Sequence, residues 1–172
     1  STLKRSLGDT DSAFIFTRRA IKINRIKGHL QSLSYSYNNL GILHYNSNNI
    51  DSSLICFQKT LIIRQELKEY KSLIQSHNNI GYILMKKGKY KNAIKSFNIA
   101  INLGRKHKVI TYLNLSYDNL TEAYEKIGED NKALATYRKY TAIKDSISGE
   151  KAKIDLLKVE QKTKLKDEKN KG

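Results

Sequence analysis

The chain has 172 residues, of which 39% are hydrophobic and 28% are charged, and its formal net charge is +16. A single cysteine, Cys56, excludes an internal disulfide, and we interpret it as a partly buried small residue on a helix. No stretch approaches the roughly 18 consecutive apolar residues of a membrane span, and no signal peptide is visible.

The positive charge could indicate binding to nucleic acid or to an anionic membrane surface. The lysines, however, are spread over all of the predicted helices and do not form one stripe. Lys, Asn and Ile are also abundant together, as in organisms with low-GC genomes. We therefore do not expect a nucleic-acid partner.

Segments of the chain align with one another, without gaps, after a shift of forty residues. Self-similarity at a period of about 20 to 50 residues is typical of stacked repeat proteins. The aligned sets are Asn39, Asn79 and Asn119; Gly41, Gly81 and Thr121; Phe57, Phe97 and Tyr137; and the turn residues Gly8, Asn48, Gly88 and Gly128.

A partial repeat is predicted at residues 1–30, with Ala13 and Ala20 in the repeat register. Residues 3–7 are interpreted as the end of a first helix that runs into a turn at Gly8. Because a repeat array would not begin half-way through a unit with its packing face bare, we expect further repeats upstream in the natural protein.

Three full repeats are predicted at about residues 31–69, 70–109 and 110–147, each with two helices. In the second repeat, residues 76–85 form the first helix and 87–89 the turn, where Gly88 fits a left-handed helix end. The second helix follows, with an apolar stripe at Ala93, Ile94, Phe97, Ala100 and Ile101.

The motif in these copies resembles the tetratricopeptide repeat, in which an aromatic, a Leu-Gly pair, a Tyr and Ala-x-x-x-Phe recur. The matching residues are Tyr37, Leu40, Gly41, His44, Ser53, Phe57 and Thr60; then His77, Ile80, Gly81, Leu84, Ala93, Phe97 and Ala100; then Tyr117, Leu120, Thr121, Tyr124, Ala133, Tyr137 and Tyr140. The resemblance implies an all-α, right-handed superhelix, or α-solenoid, of about three and a half repeats.

The repeat differs from the usual pattern in two respects. It has forty residues where the family usually has about 34, and the closing Pro is absent because the chain contains no Pro. This long form resembles the repeats of kinesin light chains and of many bacterial signalling proteins. His44 and His77 stand where the family usually has aromatic residues, so we interpret both as packing residues.

Residues 148–172 break the repeat pattern, because Ser148 and Gly149 are expected to interrupt the last repeat helix. A further helix with a thin apolar edge at Ile154 and Leu157 is predicted beyond them. Two interpretations remain open: a cap that covers the end of the stack, or a connector helix that leads to another domain.

The stretch from Tyr137 to Ile154 resembles the end of the repeat domain in sensor histidine kinases of the Bacteroidetes type. The resemblance implies a sensory module whose membrane span and output domain, such as a histidine kinase, lie downstream. The protein would then be periplasmic or membrane-anchored, and it would contact the membrane only through that span. If the resemblance to the sensor kinases does not hold, a cytoplasmic location is expected.

The inner wall of such a superhelix comes from the first helix of each repeat. By comparison with the repeat family, the residues expected to contact a protein or peptide ligand are Tyr35, Asn38, Asn39, Ile42, Tyr45, Gln75, Asn78, Asn79, Tyr82, Met85, Asp118, Asn119, Glu122 and Glu125.

The series Asn39, Asn79 and Asn119 permits two roles. Side-chain amides donate and accept hydrogen bonds, so they suit the backbone of an extended peptide. They could equally well form hydrogen bonds between helices of the array. A groove for a terminal carboxylate of the chaperone-tail type is not expected, because Asn38, Asn78 and Asp118 stand where that family carries its charge.

No nucleophile–base pair, zinc-binding helix or phosphate-binding loop is present in the sequence. The acids Asp118, Glu122 and Glu125 share a helix face and are interpreted as a solvated or partner-facing patch. We expect no enzyme activity, metal or cofactor in this chain.

Three functions are compatible with the pattern. The first is a peptide-sensing domain of a bacterial two-component sensor or related regulator. The second is a free-standing scaffold for protein assembly, and the third is a cytosolic, peptide-responsive transcription regulator. The pattern leaves a homodimer open.

Overall fold

The computed structural model describes residues 2–146 and 148–149, with side chains from residue 10 onward. The described residues form seven helices and no strand, which confirms the all-α repeat solenoid. The helices are α1 (Thr2–Ile26), α2 (Leu30–Asn46), α3 (Ile50–Glu66), α4 (Tyr70–Lys86), α5 (Tyr90–Lys106), α6 (Leu113–Lys126) and α7 (130–146).

Each helix up to α6 is followed by one residue in the left-handed conformation, and these residues recur every twenty positions. They are Gly28, Asn48, Lys68, Gly88, Lys108 and Gly128, with φ between 53° and 73°. At Asn48 the chain reverses through two bonds: the Asn48 N–H donates to the Tyr45 carbonyl, and the Asn49 N–H donates to the His44 carbonyl. Three residues join each of the helices α1 to α4 to the next helix, whether inside a repeat or between repeats, and the connection from α5 to α6 is longer.

The predicted turn at Gly8 is wrong, because Gly8 lies inside the continuous helix α1. Glycine in a helix interior costs only about 1 kcal/mol relative to alanine. Continuing the helix through Gly8 satisfies the backbone hydrogen bonds of the residues around it. The turn that begins the regular series is at Gly28.

The first helices α2, α4 and α6 lie side by side and are joined by side-chain contacts. Tyr45 bonds Tyr82, Asn79 bonds Asn38, and Ser116 bonds Asn78. The second helices α3 and α5 each pack against the first helices on either side. First helices therefore form the inner wall of the stack, and second helices form its outer wall.

The closest packing is between the repeat glycines and the repeat aromatics. A Cβ atom built on Gly81 would lie 2.5 Å from Cε1 of Phe97, and one on Gly41 would lie 2.8 Å from Cε1 of Phe57. Both rings are buried, Phe97 completely. Only a glycine admits the ring at this distance, so the two helices of a repeat are held against each other.

The third repeat differs, because Tyr137 is 50% exposed although it aligns with Phe57 and Phe97. The ring of Phe57 is covered by the first helix of the next repeat, through Ile80 and Ile83. No described helix follows α7, so the Tyr137 ring is left at the end of the described stack.

Ser148 and Gly149, where an interruption of the last repeat helix was predicted, are both helical, and residue 147, between them and α7, lies outside the described residues. The predicted cap or connector helix, including Ile154, Leu157 and the rest of residues 150–172, lies outside the described residues.

Replacing Gly81 with Ala should destabilise the protein by about 1–3 kcal/mol, because the new methyl group overpacks against Phe97. Helix propensity favours the alanine by about 1 kcal/mol, so a net loss would isolate the packing effect. The reference is the wild-type protein, from which the variant differs by one methyl group. Urea unfolding measures both, and an unchanged or increased stability of Gly81→Ala would contradict the close packing.

The histidines at the aromatic positions pack inside the array. His44 lies 5.0 Å from the ring of Phe14, and its buried Nδ1 has no hydrogen-bond partner among the described residues. Burial lowers the pKa of His44, with a smaller contribution from the positive charge of Arg18. Burial also lowers the pKa of His77. Both side chains are therefore neutral in the folded protein at neutral pH.

The protein should lose stability when the pH falls below about 6.5, the ordinary pKa of histidine. Because the folded pKa values are lowered, the unfolded chain binds protons first, and the stabilisation present above about pH 6.5 is lost as the pH falls through the folded values. His77→Phe should flatten this dependence when urea unfolding is compared at neutral and mildly acidic pH. An unchanged pH profile in the variant would contradict a buried neutral His77.

Candidate functional site

A pocket of about 210 Å³ opens on the inner wall, between the C-terminal halves of α2 and α4 and the N-terminal half of α6. Its surface is mainly apolar and is interrupted by carboxamides. The lining residues are Ile42, Tyr45, Phe57, Asn78, Asn79, Tyr82, Ile83, Leu115 and Asn119. Six of these were among the predicted ligand-contacting residues: Ile42, Tyr45, Asn78, Asn79, Tyr82 and Asn119.

Two tyrosines form one rim of the pocket. The hydroxyls of Tyr45 and Tyr82 are 3.0 Å apart, and their rings meet edge to face at 5.6 Å between centroids. This hydrogen bond, with burial, raises the pKa of Tyr45. The Lys86 ammonium lies 5.0 Å from the centroid of the Tyr82 ring. The rim is therefore built from neighbouring repeats, which a hydrogen bond and an aromatic contact hold together.

The carboxamides of the inner wall hold neighbouring repeats together. Asn79 Nδ2 donates to Asn38 Oδ1 at 3.1 Å. Ser116 Oγ donates to Asn78 Oδ1 at 2.8 Å, and Asn78 Nδ2 donates to the Tyr112 carbonyl at 3.5 Å. Of the series Asn39, Asn79 and Asn119, hydrogen bonding between helices is thus observed for Asn79, and the neighbouring amides Asn38 and Asn78 make such bonds as well.

The three asparagines of the repeat series differ in their surroundings. Asn39 is exposed, Asn79 is half-buried, and Asn119 is buried at the pocket wall. They therefore do not form a uniform ladder, because the helix packing around each repeat differs.

Met85 does not line the pocket. It is 5% exposed and belongs to the core cluster around Phe97 and Leu120. Met85 occupies the repeat position of Tyr45, which lines the pocket, but its side chain packs between α4 and the following helices. The repeat pattern alone does not distinguish this direction from the wall.

The other predicted residues lie outside the pocket. Tyr35 and Gln75 both contact Arg64, Tyr35 through its ring and Gln75 through its side-chain oxygen. Asp118, Glu122 and Glu125 are exposed on α6. Glu125 lines a separate shallow pocket with Asp130 and Tyr137 at the end of the described stack.

Three pocket residues were missed in the sequence: Phe57, Ile83 and Leu115. Leu115 aligns with Tyr35 and Gln75 after shifts of eighty and forty residues, so the same positional rule identifies it. Phe57 and Ile83 form the floor of the pocket and carry no such signal, because core residues of every repeat share their pattern.

The described residues contain no group of three or more His, Cys, Asp or Glu side chains that could hold a metal ion. None of the described helices is long and apolar enough to cross a membrane.

Family models of the tetratricopeptide repeat match residues 33–67, 74–107 and 116–146, which together make up more than half of the chain. The chain therefore belongs to the tetratricopeptide repeat family, a class of protein-interaction domains. No curated protein matches this sequence.

Several solved structures share the fold. The apo form of RapI is 24% identical, with a TM-score of 0.75 over 83% of this chain and 52% of its own. BtubC from P. vanneervenii is 20% identical, with a TM-score of 0.74 over 83% of this chain and 59% of its own. Aspartyl phosphate phosphatase F from Bacillus subtilis is 19% identical, with a TM-score of 0.77 over 83% of this chain and 38% of its own. The chain thus spans about half the length of the first two, and the likeness establishes the fold alone.

Replacing Asn78 with Ala should destabilise the protein by about 1–3 kcal/mol, because Ser116 and the Tyr112 carbonyl lose a buried partner. The control Asn39→Ala removes an exposed amide from the first helix of the preceding repeat and should change stability by less than about 0.5 kcal/mol. Urea unfolding compares the two; equal losses would contradict the assignment of Asn78 as an inter-repeat bond.

Proposed function

We propose that the inner wall of α2, α4 and α6 binds an extended peptide segment of a partner protein, with one large apolar side chain in the pocket. The observation that supports this most is the lining of the pocket: apolar side chains from three consecutive repeats surround an opening flanked by carboxamides. Ligand sites in proteins typically combine such an apolar surface with a few polar groups that fix orientation.

The carboxamides retain capacity for a ligand after they have joined the repeats. Asn79 donates one N–H to Asn38, and no described residue donates to its Oδ1. A carboxamide has two donors and an acceptor, which match the carbonyl and N–H groups of an extended backbone. Asn79 would thus position the peptide backbone beside the pocket without selecting its sequence.

Charge on the wall favours one direction of the peptide. Helix α2 carries no Asp, Glu, Lys or Arg, whereas α6 exposes Asp118, Glu122 and Glu125. A basic residue of the ligand would lie on α6, where exposed carboxylates of this kind act on association rate and orientation more than on affinity.

The proposed activity is binding without catalysis. The pocket lining contains amide, phenol and apolar groups and no pair of a nucleophile and a base. The Tyr45 hydroxyl on the rim has its pKa raised by the hydrogen bond to Tyr82, which keeps it protonated.

We further propose that binding serves regulation, as the sensory or regulatory domain of a bacterial signal-transduction protein of the two-component sensor type. The support is the resemblance of residues 137–154 to the end of the repeat domain in sensor histidine kinases. Kinase motifs or a DNA-binding domain after residue 172 in the natural gene would agree with this role. An independent reading frame that ends there would favour a free-standing scaffold.

Ile42→Arg should weaken peptide binding at least about tenfold, because Ile42 is 42% exposed at the pocket and the new charge would occupy the apolar opening. The probe is a library of acetylated, amidated hexapeptides with Phe or Leu fixed at one position, and fluorescence anisotropy measures the affinity of the selected sequences. The variant should remain folded, since Ile42 lies on the surface.

The matched control is Ile55→Arg, which places the same charge on α3 at a residue that is 51% exposed on the outer wall. It should leave both the fold and binding unchanged. Equal effects of the two substitutions, or no binding of any hexapeptide by the wild-type chain, would contradict the proposed groove.

A further inference from the structure

Arg64, in the last turn of α3, is buried beneath the inner wall with 1% of its surface exposed. Its hydrogen bonds to described residues are all made through Nη1. The acceptors are the Ser72 carbonyl at 2.9 Å, Ser76 Oγ at 2.9 Å and Gln75 Oε1 at 3.3 Å. These bonds fix the guanidinium against α4.

The opposite edge of the guanidinium is unused. Nε is buried without a partner, and no described residue accepts a hydrogen bond from Nη2. Nε and Nη2 are parallel donors, the geometry that a carboxylate takes with two oxygens. A donor that is buried without an acceptor, as Nε is, destabilises the protein, so this edge gains from an incoming anion.

No carboxylate of the described residues lies within 4.0 Å of Arg64. Glu69 acts on Arg64 through its charge, but its Oε1 accepts a hydrogen bond from Gln31 at 2.9 Å. The other groups that favour the charge of Arg64 are the phenols of Tyr35 and Tyr112. The hydrogen bonds of this buried cation therefore go to neutral acceptors, an arrangement that is costly without an anionic partner.

Tyr35, the side chain that covers Arg64, lies on the inner wall that forms the proposed groove. The Tyr35 ring is 5.8 Å from the guanidinium carbon and is 48% exposed, so its rotation toward solvent would uncover the cation from the inner wall. Gln75, which contacts Arg64, precedes the pocket residue Asn79 by four positions on α4. That separation is about 6 Å along a helix, which equals about two residues of an extended peptide.

We propose that Arg64 binds a carboxylate of the peptide ligand, about two residues away from the apolar side chain in the pocket, when Tyr35 rotates off it. This inference rests on the proposed peptide groove. The carboxylate comes either from an Asp or Glu side chain or from the C-terminus of the ligand. Tyr35 is the cover of the site, and Arg64 determines the preference for an acidic ligand.

The test uses the full chain and three sets of hexapeptides with a fixed Phe. The first set is acetylated and amidated, with Glu two residues before or after the Phe. The second has Gln in place of Glu. The third has no acidic side chain and ends in a free carboxylate two residues after the Phe. Anisotropy should give at least about a tenfold preference for the first or third set over the second. Which set is preferred identifies the source of the carboxylate.

Arg64→Met should abolish that preference and leave the affinity for the Gln peptides unchanged. Arg64→Lys retains the charge without the paired donors, so it should lose most of the preference even if the Met variant does not fold by circular dichroism. The matched control is Lys144→Met, which removes an exposed cation at the same repeat position of α7. It should retain the preference.

Equal affinities of wild type for the three sets would overturn the assignment of Arg64, and so would full preference in a folded Arg64→Lys variant. If Ile42→Arg still weakens binding at least about tenfold in that case, the peptide groove is supported and only the carboxylate site is contradicted. If no set binds to wild type, both the groove and the carboxylate site are contradicted.

Discussion

The contact between a helix glycine and a buried phenylalanine ring controls the geometry of this protein. At Gly81 and Phe97 the ring occupies the space where any other residue would carry its Cβ, and Gly41 and Phe57 repeat the contact one unit earlier. The two helices of a repeat are thereby fixed at one separation. Because the left-handed turn residues recur every twenty positions, each helix pair is followed by the next at the same spacing along the chain. A repeated stride places the first helices along one wall.

The binding properties of that wall follow from how the repeats are joined. Tyr45 with Tyr82, and Asn79 with Asn38, connect neighbouring first helices by side-chain hydrogen bonds. Three of these residues also form the rim and flank of the pocket, so the side chains that join the repeats are also those of the proposed binding site. Under the proposed function, such a surface is organised before binding, which reduces the entropy lost when a ligand is bound. In the same proposal, the bonds of Arg64 to α4 orient the unused edge of its guanidinium below this surface.

The repeat fold, the helix pairs and most of the pocket wall could be predicted because they depend on periodic residues. The same repeat register also identifies Leu115, since it stands forty residues after the predicted wall residue Gln75. The incorrect predictions concern residues whose conformation depends on packing with other parts of the chain. Gly8 lies inside the continuous helix α1, and Met85 turns into the core because its side chain packs with residues of α5. Arg64 could not be predicted, since its repeat position holds Gly104 in the next unit and its contacts come from two other helices.

The central claim is that the first helices form a continuous binding wall at the pocket. Site-specific photo-cross-linking tests it most directly, with benzoylphenylalanine in place of Leu115 at the pocket or of Ile99 on the outer wall, both exposed. A selected hexapeptide should cross-link from position 115 and not from position 99. Cross-linking from position 99 alone, or equally from both, would contradict the account.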